Sequence, residues 1–174
     1  MKNISPCPLD QIPIIPFKKC PILRTFLEIL LTNCWTQSKI PSSWGHGLTI
    51  LIHKKGSPDL PENFRPITLQ SVPYKILSSI LRSRITQFLM SNYIVNKTIQ
   101  KGFWPKSNGV TEHTSMLSHM LEDAKRHHRS MVVTLLDLRN AFGEVSHKFI
   151  YTTLALHKIP TQTIELISNI YKSA

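Results

Sequence analysis

Seven apolar residues, Ile76, Leu77, Ile80, Leu81, Ile85, Phe88 and Leu89, recur at mostly three- and four-residue steps, while Lys75, Arg82, Arg84 and Gln87 fall largely off that line. Such spacing makes one stripe only on an α-helix, so a helix with a face to bury is the firmest demand this chain makes on its fold. Pro73 stands where that helix can begin, because a proline in the first turn lacks only an N–H that has no intrahelical partner. A second stripe, Leu23, Phe26, Leu27, Leu30, Leu31 and Cys34, predicts a helix over 22–38, with Pro41 soon after it. Met116, Leu117, Met120 and Leu121 mark a third over 110–126. Residues 146–157 and 161–172 read as two more, separated at Pro160.

Three segments follow other rules. Residues 47–53 are short, apolar and partly β-branched, which predicts a strand, and 65–70 can be a second. The intervening Lys54-Lys55-Gly56-Ser57-Pro58-Asp59 is a turn or loop, so the two strands suggest an antiparallel pair with a basic tip. Met131 to Leu136 is a nearly continuous apolar run ending at Asp137, the pattern of a strand buried on both faces. Pro6, Pro8, Pro13, Pro16 and Pro21 block helix and inner strand alike, so residues 1–21 are expected to be an extended leader. Residues 92–109, with Gly102, Pro105 and Gly109, read as irregular.

The 174 residues amount to about one domain, and a composition 41% hydrophobic and 18% charged excludes wholesale disorder. No apolar run approaches the ~20 residues of a bilayer span, and no basic-then-apolar leader marks secretion. A membrane enzyme is therefore not expected. Cys7, Cys20 and Cys34 contain no C-x-x-C, which suits thiols in a reducing, intracellular compartment, nuclear or cytoplasmic, better than a disulfide framework or zinc knuckle. Lys and Arg number 21 against 10 Asp and Glu, and the resulting +11 suits a polyanionic partner.

Three features carry candidate chemistry, each with an ordinary structural reading beside it. Lys54 and Lys55, beside Gly56 on the loop, offer two cations to a phosphate, or a solvated turn. Arg65 precedes Pro66, which makes its direction more predictable, and a guanidinium grips phosphate with two bonds; it is otherwise a strand-edge arginine. Asp137, at the end of the apolar run, is costly to bury without a partner, and magnesium, a hard ion that prefers oxygen, is a suitable one. Its alternative role is to cap the turn after the strand. Trp35, Trp44 and Trp104 read as packing anchors, and His53, His127 and His128 as surface residues.

The order of motifs resembles the reverse transcriptase domain of non-LTR (LINE-type) retrotransposons. The matching stretches are IPSSW at 40–44, LTILIHKKGSP at 48–58, ENFRPITLQSVPYKILSSILRSRI at 62–85, QKGF at 100–103, GVTEHTSML at 109–117 and VVTLLDLRNAFGEVSH at 132–147. Together they cover about residues 10–174.

The resemblance implies an α+β fold, the fingers and partial palm of a right-hand polymerase, mostly helical with a fingers β-hairpin and a buried palm strand. It divides the chain into the leader 1–21, a fingers-like region 22–130 and the first part of the palm 131–174, with the rest of the palm and the thumb absent. It implies that Asp137 is the first catalytic carboxylate and a metal ligand, with the Leu138 carbonyl on the same metal. Lys54, Lys55 and Arg65 would hold the triphosphate of an incoming deoxynucleotide; which lysine does so stays open. Phe142 would stand at the steric gate against a ribose 2′-OH. The cofactor implied is Mg²⁺, and the partners are an RNA template, a DNA primer or hybrid, and a deoxynucleoside triphosphate.

Two departures stand out. Gly143 replaces an aspartate that many family members carry. The paired aspartates of the next palm motif do not occur, since only Glu144 and Glu165 are acidic beyond Asp137. One carboxylate cannot hold two metals ~4 Å apart. The expectation is therefore a segment of an RNA-directed DNA polymerase that is inactive by itself, with a non-catalytic RNA- or hybrid-binding fragment and a decayed element copy as the alternatives. The strand at 131–136 is expected to lack its hairpin neighbour.

Overall fold

The computed structural model describes residues 10–104, 107–138, 141 and 143–173. The elements run α1 Ile15–Lys19, α2 Pro21–Thr36, β1 Leu48–His53, β2 Phe64–Leu69, α3 Val72–Ser91, α4 Gly109–Arg126, α5 His147–Leu156 and α6 Thr161–Ser173, with 3-10 turns at Ser42–Trp44 and Pro61–Asn63. Contacts divide the chain into two compact units, Met1–Thr86 with Ser146–Ala174, and Gln87–Val145.

The first unit holds the core. Cys34 of α2, Trp44, Leu77 and Leu81 of α3, and Leu166 of α6 form one buried cluster, with Leu31, Trp35, Ile40, Tyr74 and Ile170 packed around it. Leu77 and Leu81 are the inner line of the stripe that predicted α3. Helix α6 is tied to α2 and the turn after it by polar bonds as well: Gln162 Nε2 donates to the Trp35 carbonyl at 3.0 Å and Asn169 Nδ2 to the Ser38 carbonyl at 2.7 Å. Burial raises the pKa of the Cys34 thiol, because the thiolate would lose its hydration.

Four helices end in the same way without glycine. Ser38, Tyr93, His128 and Lys158 have positive φ, between 49° and 58°. After each, two N–H groups turn back onto the last turn, as in Lys158 to Ala155 (2.9 Å) and Ile159 to Leu154 (3.0 Å). This closes the free carbonyls of a helix end. Left-handed backbone is costly for a residue with a Cβ, so each closure carries local strain.

Two expectations are corrected. Within residues 1–21, α1 replaces part of the extended leader, since Pro16 falls in its first turn, where a missing N–H costs no bond; residues 1–9 lie outside the described residues. The buried palm strand does not form either. Residues 131–138 adopt no regular element, and Val132, Leu135 and Leu136 are 89%, 88% and 92% exposed. Among the described residues the only ladder joins β1 to β2. A strand needs a hydrogen-bonded neighbour and cover for its faces; among the described residues 131–136 has no ladder partner, and most of its side chains are exposed.

Candidate functional site

β1 and β2 pair antiparallel, from Leu48 opposite Leu69 to His53 opposite Phe64. Opposed residues share a face, so Ile50 and Ile52 stand with Arg65 and Ile67, while Thr49, Leu51 and His53 stand with Phe64, Pro66 and Thr68. The hydroxyls of Thr49 and Thr68 meet at 2.9 Å, and the rings of His53 and Phe64 lie 5.2 Å apart. One more bond, from the Lys54 N–H to the Asn63 carbonyl at 2.7 Å, carries the pairing past His53. Alternation carried one residue past the strand puts Lys54 on the face of Ile52 and Arg65, and Lys55 lies in the bend that follows. All three cations are exposed.

The tip is braced by its own bonds. Gly56 has φ +88°, and a Cβ there would sit 2.7 Å from Asn63 Nδ2. That Nδ2 donates to the Ser57 carbonyl at 2.8 Å, and His53 Nε2 lies 3.1 Å from the Gly56 carbonyl oxygen. Ser57 Oγ donates to Asp59 Oδ2 at 3.0 Å, which occupies one oxygen of the loop's carboxylate. Sequence reading singled out the cations and passed over Asn63. The signal for the turn was Gly56 itself, but a partner seven residues away is visible only in the fold.

Asp137 is exposed, and so is Leu138. The sequence put this carboxylate at the end of a buried strand; without the strand, the desolvation that would demand a counter-ion is absent. Arg139, Asn140 and Phe142 lie outside the described residues. Lys54, Lys55 and Arg65 belong to the first unit, and Asp137 and Leu138 to the second.

A magnesium ion wants about six oxygens, and a two-metal centre wants at least a second carboxylate. Among the described residues no group of three or more His, Cys, Asp or Glu is arranged to hold a metal. Asp137 with the Leu138 carbonyl supplies at most three oxygens, so the donors among the described residues do not by themselves fit the ion.

Other side chains show how each unit spends its charge. Arg84 lies over the Trp35 ring at 5.3 Å and, with Arg24, flanks a hollow of about 480 Å³ floored by Leu27, Leu31 and Leu81. Of the tryptophans read as anchors, Trp44 is buried, Trp35 packs against the core, and Trp104 is half-buried beneath Lys97 at 5.7 Å. In the second unit Lys101 pairs with Glu112 in the first turn of α4, and the lysine's hydrogen bond lowers that carboxyl's pKa. Among the described residues no helix is long and apolar enough to cross a membrane.

The family profile described as reverse transcriptase (RNA-dependent DNA polymerase) matches residues 52–174. The chain is 30% identical over 147 residues, 84% of its length, to the retrovirus-related Pol polyprotein from type-2 retrotransposable element R2DM of Drosophila melanogaster. It is also 30% identical over 148 residues, or 85%, to the R2 Pol polyprotein of Nasonia vitripennis, and 24% identical over 145 residues to the transposon TX1 149 kDa protein of Xenopus laevis. The chain spans 13% and 14% of the two R2 polyproteins and 11% of the TX1 protein.

Proposed function

Because the chain belongs to the reverse transcriptase (RNA-dependent DNA polymerase) family, we propose that it is the nucleotide-gripping segment of an enzyme that copies RNA into DNA for a non-LTR retrotransposon. It is homologous to a segment of the R2-type polymerases. In this reading the β1–β2 hairpin is the fingers hairpin of a right-hand polymerase, and residues from 131 onward open its palm. Lys54 and Arg65 hold the triphosphate of the incoming deoxynucleotide, with Lys55 in the bend beyond the strand pair. Asp137 and the Leu138 carbonyl would be part of a metal centre that needs further carboxylates to hold the ions, and Phe142 is the residue that would exclude a ribose 2′-OH. The family uses a divalent metal ion and acts on a nucleic-acid template, here an RNA template with a DNA primer.

One observation carries this reading: the register that puts Lys54 and Arg65 on one face of a braced hairpin. Two cations there stabilise a polyphosphate more than either does alone, and the guanidinium adds a bidentate grip.

The test is binding of a fluorescent deoxynucleoside triphosphate to the whole chain. Lys54→Ala and Arg65→Ala should each weaken it by roughly tenfold or more, in line with about 1.5–3 kcal/mol for a charge-assisted bond. Lys55→Ala should change it far less. Equal losses at Lys54 and Lys55 would sink the assignment. Primer extension on RNA should give no incorporation by this chain alone, because one carboxylate does not make the metal centre. Extension that disappears in Asp137→Ala would overturn that expectation.

A further inference from the structure

Helix α4 closes on Lys125, Arg126, His127, His128 and Arg129, all exposed. Two carboxylates on the same helix answer part of that charge. Glu122 Oε2 is 4.0 Å from Arg126 Nη2, and Asp123 Oδ1 is 3.1 Å from His127 Nδ1. Lys125, His128 and Arg129 have no carboxylate partner among the described residues.

The cluster stands on a closed turn. The N–H groups of His127, His128 and Arg129 donate to the carbonyls of Asp123 (3.1 Å), Lys125 (3.3 Å) and Ala124 (2.9 Å). His128 takes φ 49°, so the chain folds back and the Arg129 backbone lies against the last turn of α4. Arg129 also borders a shallow hollow of about 450 Å³ with His119, Asp123, Ala124 and Met131.

A helix C-terminus attracts cations, but its dipole amounts to only about half a charge, less than either Lys125 or Arg129 carries. With Arg126 and His127 set against carboxylates, these two are the cations left facing solvent here, in a unit that holds 7 Lys and Arg against 5 Asp and Glu, a balance of only +2. Positive charge gathered on a fixed turn is what releases counterions from a phosphodiester backbone.

We propose that this end of α4 is a phosphate-backbone contact for RNA, made through Lys125 and Arg129 and additional to the hairpin. The proposal rests on the nucleic-acid reading above and assigns it a surface. It requires no base recognition, so binding there is indifferent to sequence and steep in salt.

Anisotropy of a labelled oligo(U) strand with the whole chain, titrated over about 50–200 mM salt, tests it. Lys125→Ala/Arg129→Ala should lower affinity on the order of tenfold and flatten the log–log salt slope by about 1.4, at ~0.7 per phosphate contact. Lys125→Arg/Arg129→Lys should restore both. Lys158→Ala/Lys172→Ala removes the same charge from α5 and α6 and should leave the slope close to that of the parent chain. An equal loss in that control would overturn the proposal, since net charge alone would then be binding the strand. Unchanged affinity and slope in Lys125→Ala/Arg129→Ala would overturn the α4 contact and leave the polymerase reading standing. No binding by the parent chain would overturn both.

Discussion

The two compact units start from comparable sequence patterns and reach different states. The first, with 14 Lys and Arg against 5 Asp and Glu, carries +9, and every residue described as buried belongs to it. The second has in α4 a helix as regularly amphipathic as any in the chain, yet Met116, Met120 and Leu121 are exposed, as are Val132 to Leu136 beyond it. The difference shows that an apolar stripe is only half of an interaction. α2, α3 and α6 bury parts of their stripes in one cluster, while most of the apolar side chains of α4 and of the run after it stay exposed.

The sharpest test compares one leucine from each unit. Leu166 is fully buried, so Leu166→Ala should cost about 2–5 kcal/mol in urea or thermal unfolding. Leu136→Ala, at a 92% exposed side chain, should stay within about 0.5 kcal/mol. Similar costs at both sites would erase the distinction between the units.

Helix ends should behave alike in both units, because their strain is local. Lys158→Gly and His128→Gly remove the left-handed penalty and should each stabilise their helix by about 1 kcal/mol. Global unfolding reads the first, and amide exchange along α4 reads the second. A loss at either site would mean that the side chain, rather than the backbone, holds that turn.

Within the first unit, two serines precede helices with opposite outcomes. Ser146 Oγ accepts from the Phe149 N–H at 3.2 Å, so Ser146→Ala should cost about 1 kcal/mol. Ser71 Oγ is buried with no partner, so Ser71→Ala should be neutral or slightly stabilising by the same melt.

The smallest effect belongs to Glu112. Its folded pKa lies below the ordinary 4.5 because of the bond from Lys101, so the pairing contributes fully above that value and fades as pH falls through the lowered one. Amide protection factors at the start of α4, with the intrinsic pH dependence of exchange divided out, should fall over that acid window in the parent chain and stay flat in Glu112→Gln.

Much of this was legible in advance. The stripe from Ile76 to Leu89 predicted α3, and the β-branched runs flanking Lys54 predicted the hairpin, since both are periodicities of the local backbone. The motifs announced the family, whose profile matches residues 52–174. The site was half legible: residue types named Lys54, Lys55 and Arg65, but only the register shows that Lys54 continues the face of Arg65. The helix ends escaped notice because Ser38, Tyr93, His128 and Lys158 stand where glycine is the usual signal.

Sequence by itself determined where helices and strands can form, which residues form apolar stripes, and that cations gather on and beside the hairpin loop, because each follows from spacing along one stretch of chain. Tertiary structure alone decided which apolar faces are covered. Leu166 is buried and Leu136 is not, although both are leucines in apolar surroundings, because burial depends on a second surface that local spacing does not encode. For the same reason the run from Met131 to Leu136, a strand by composition, does not become one without a neighbour to receive its hydrogen bonds.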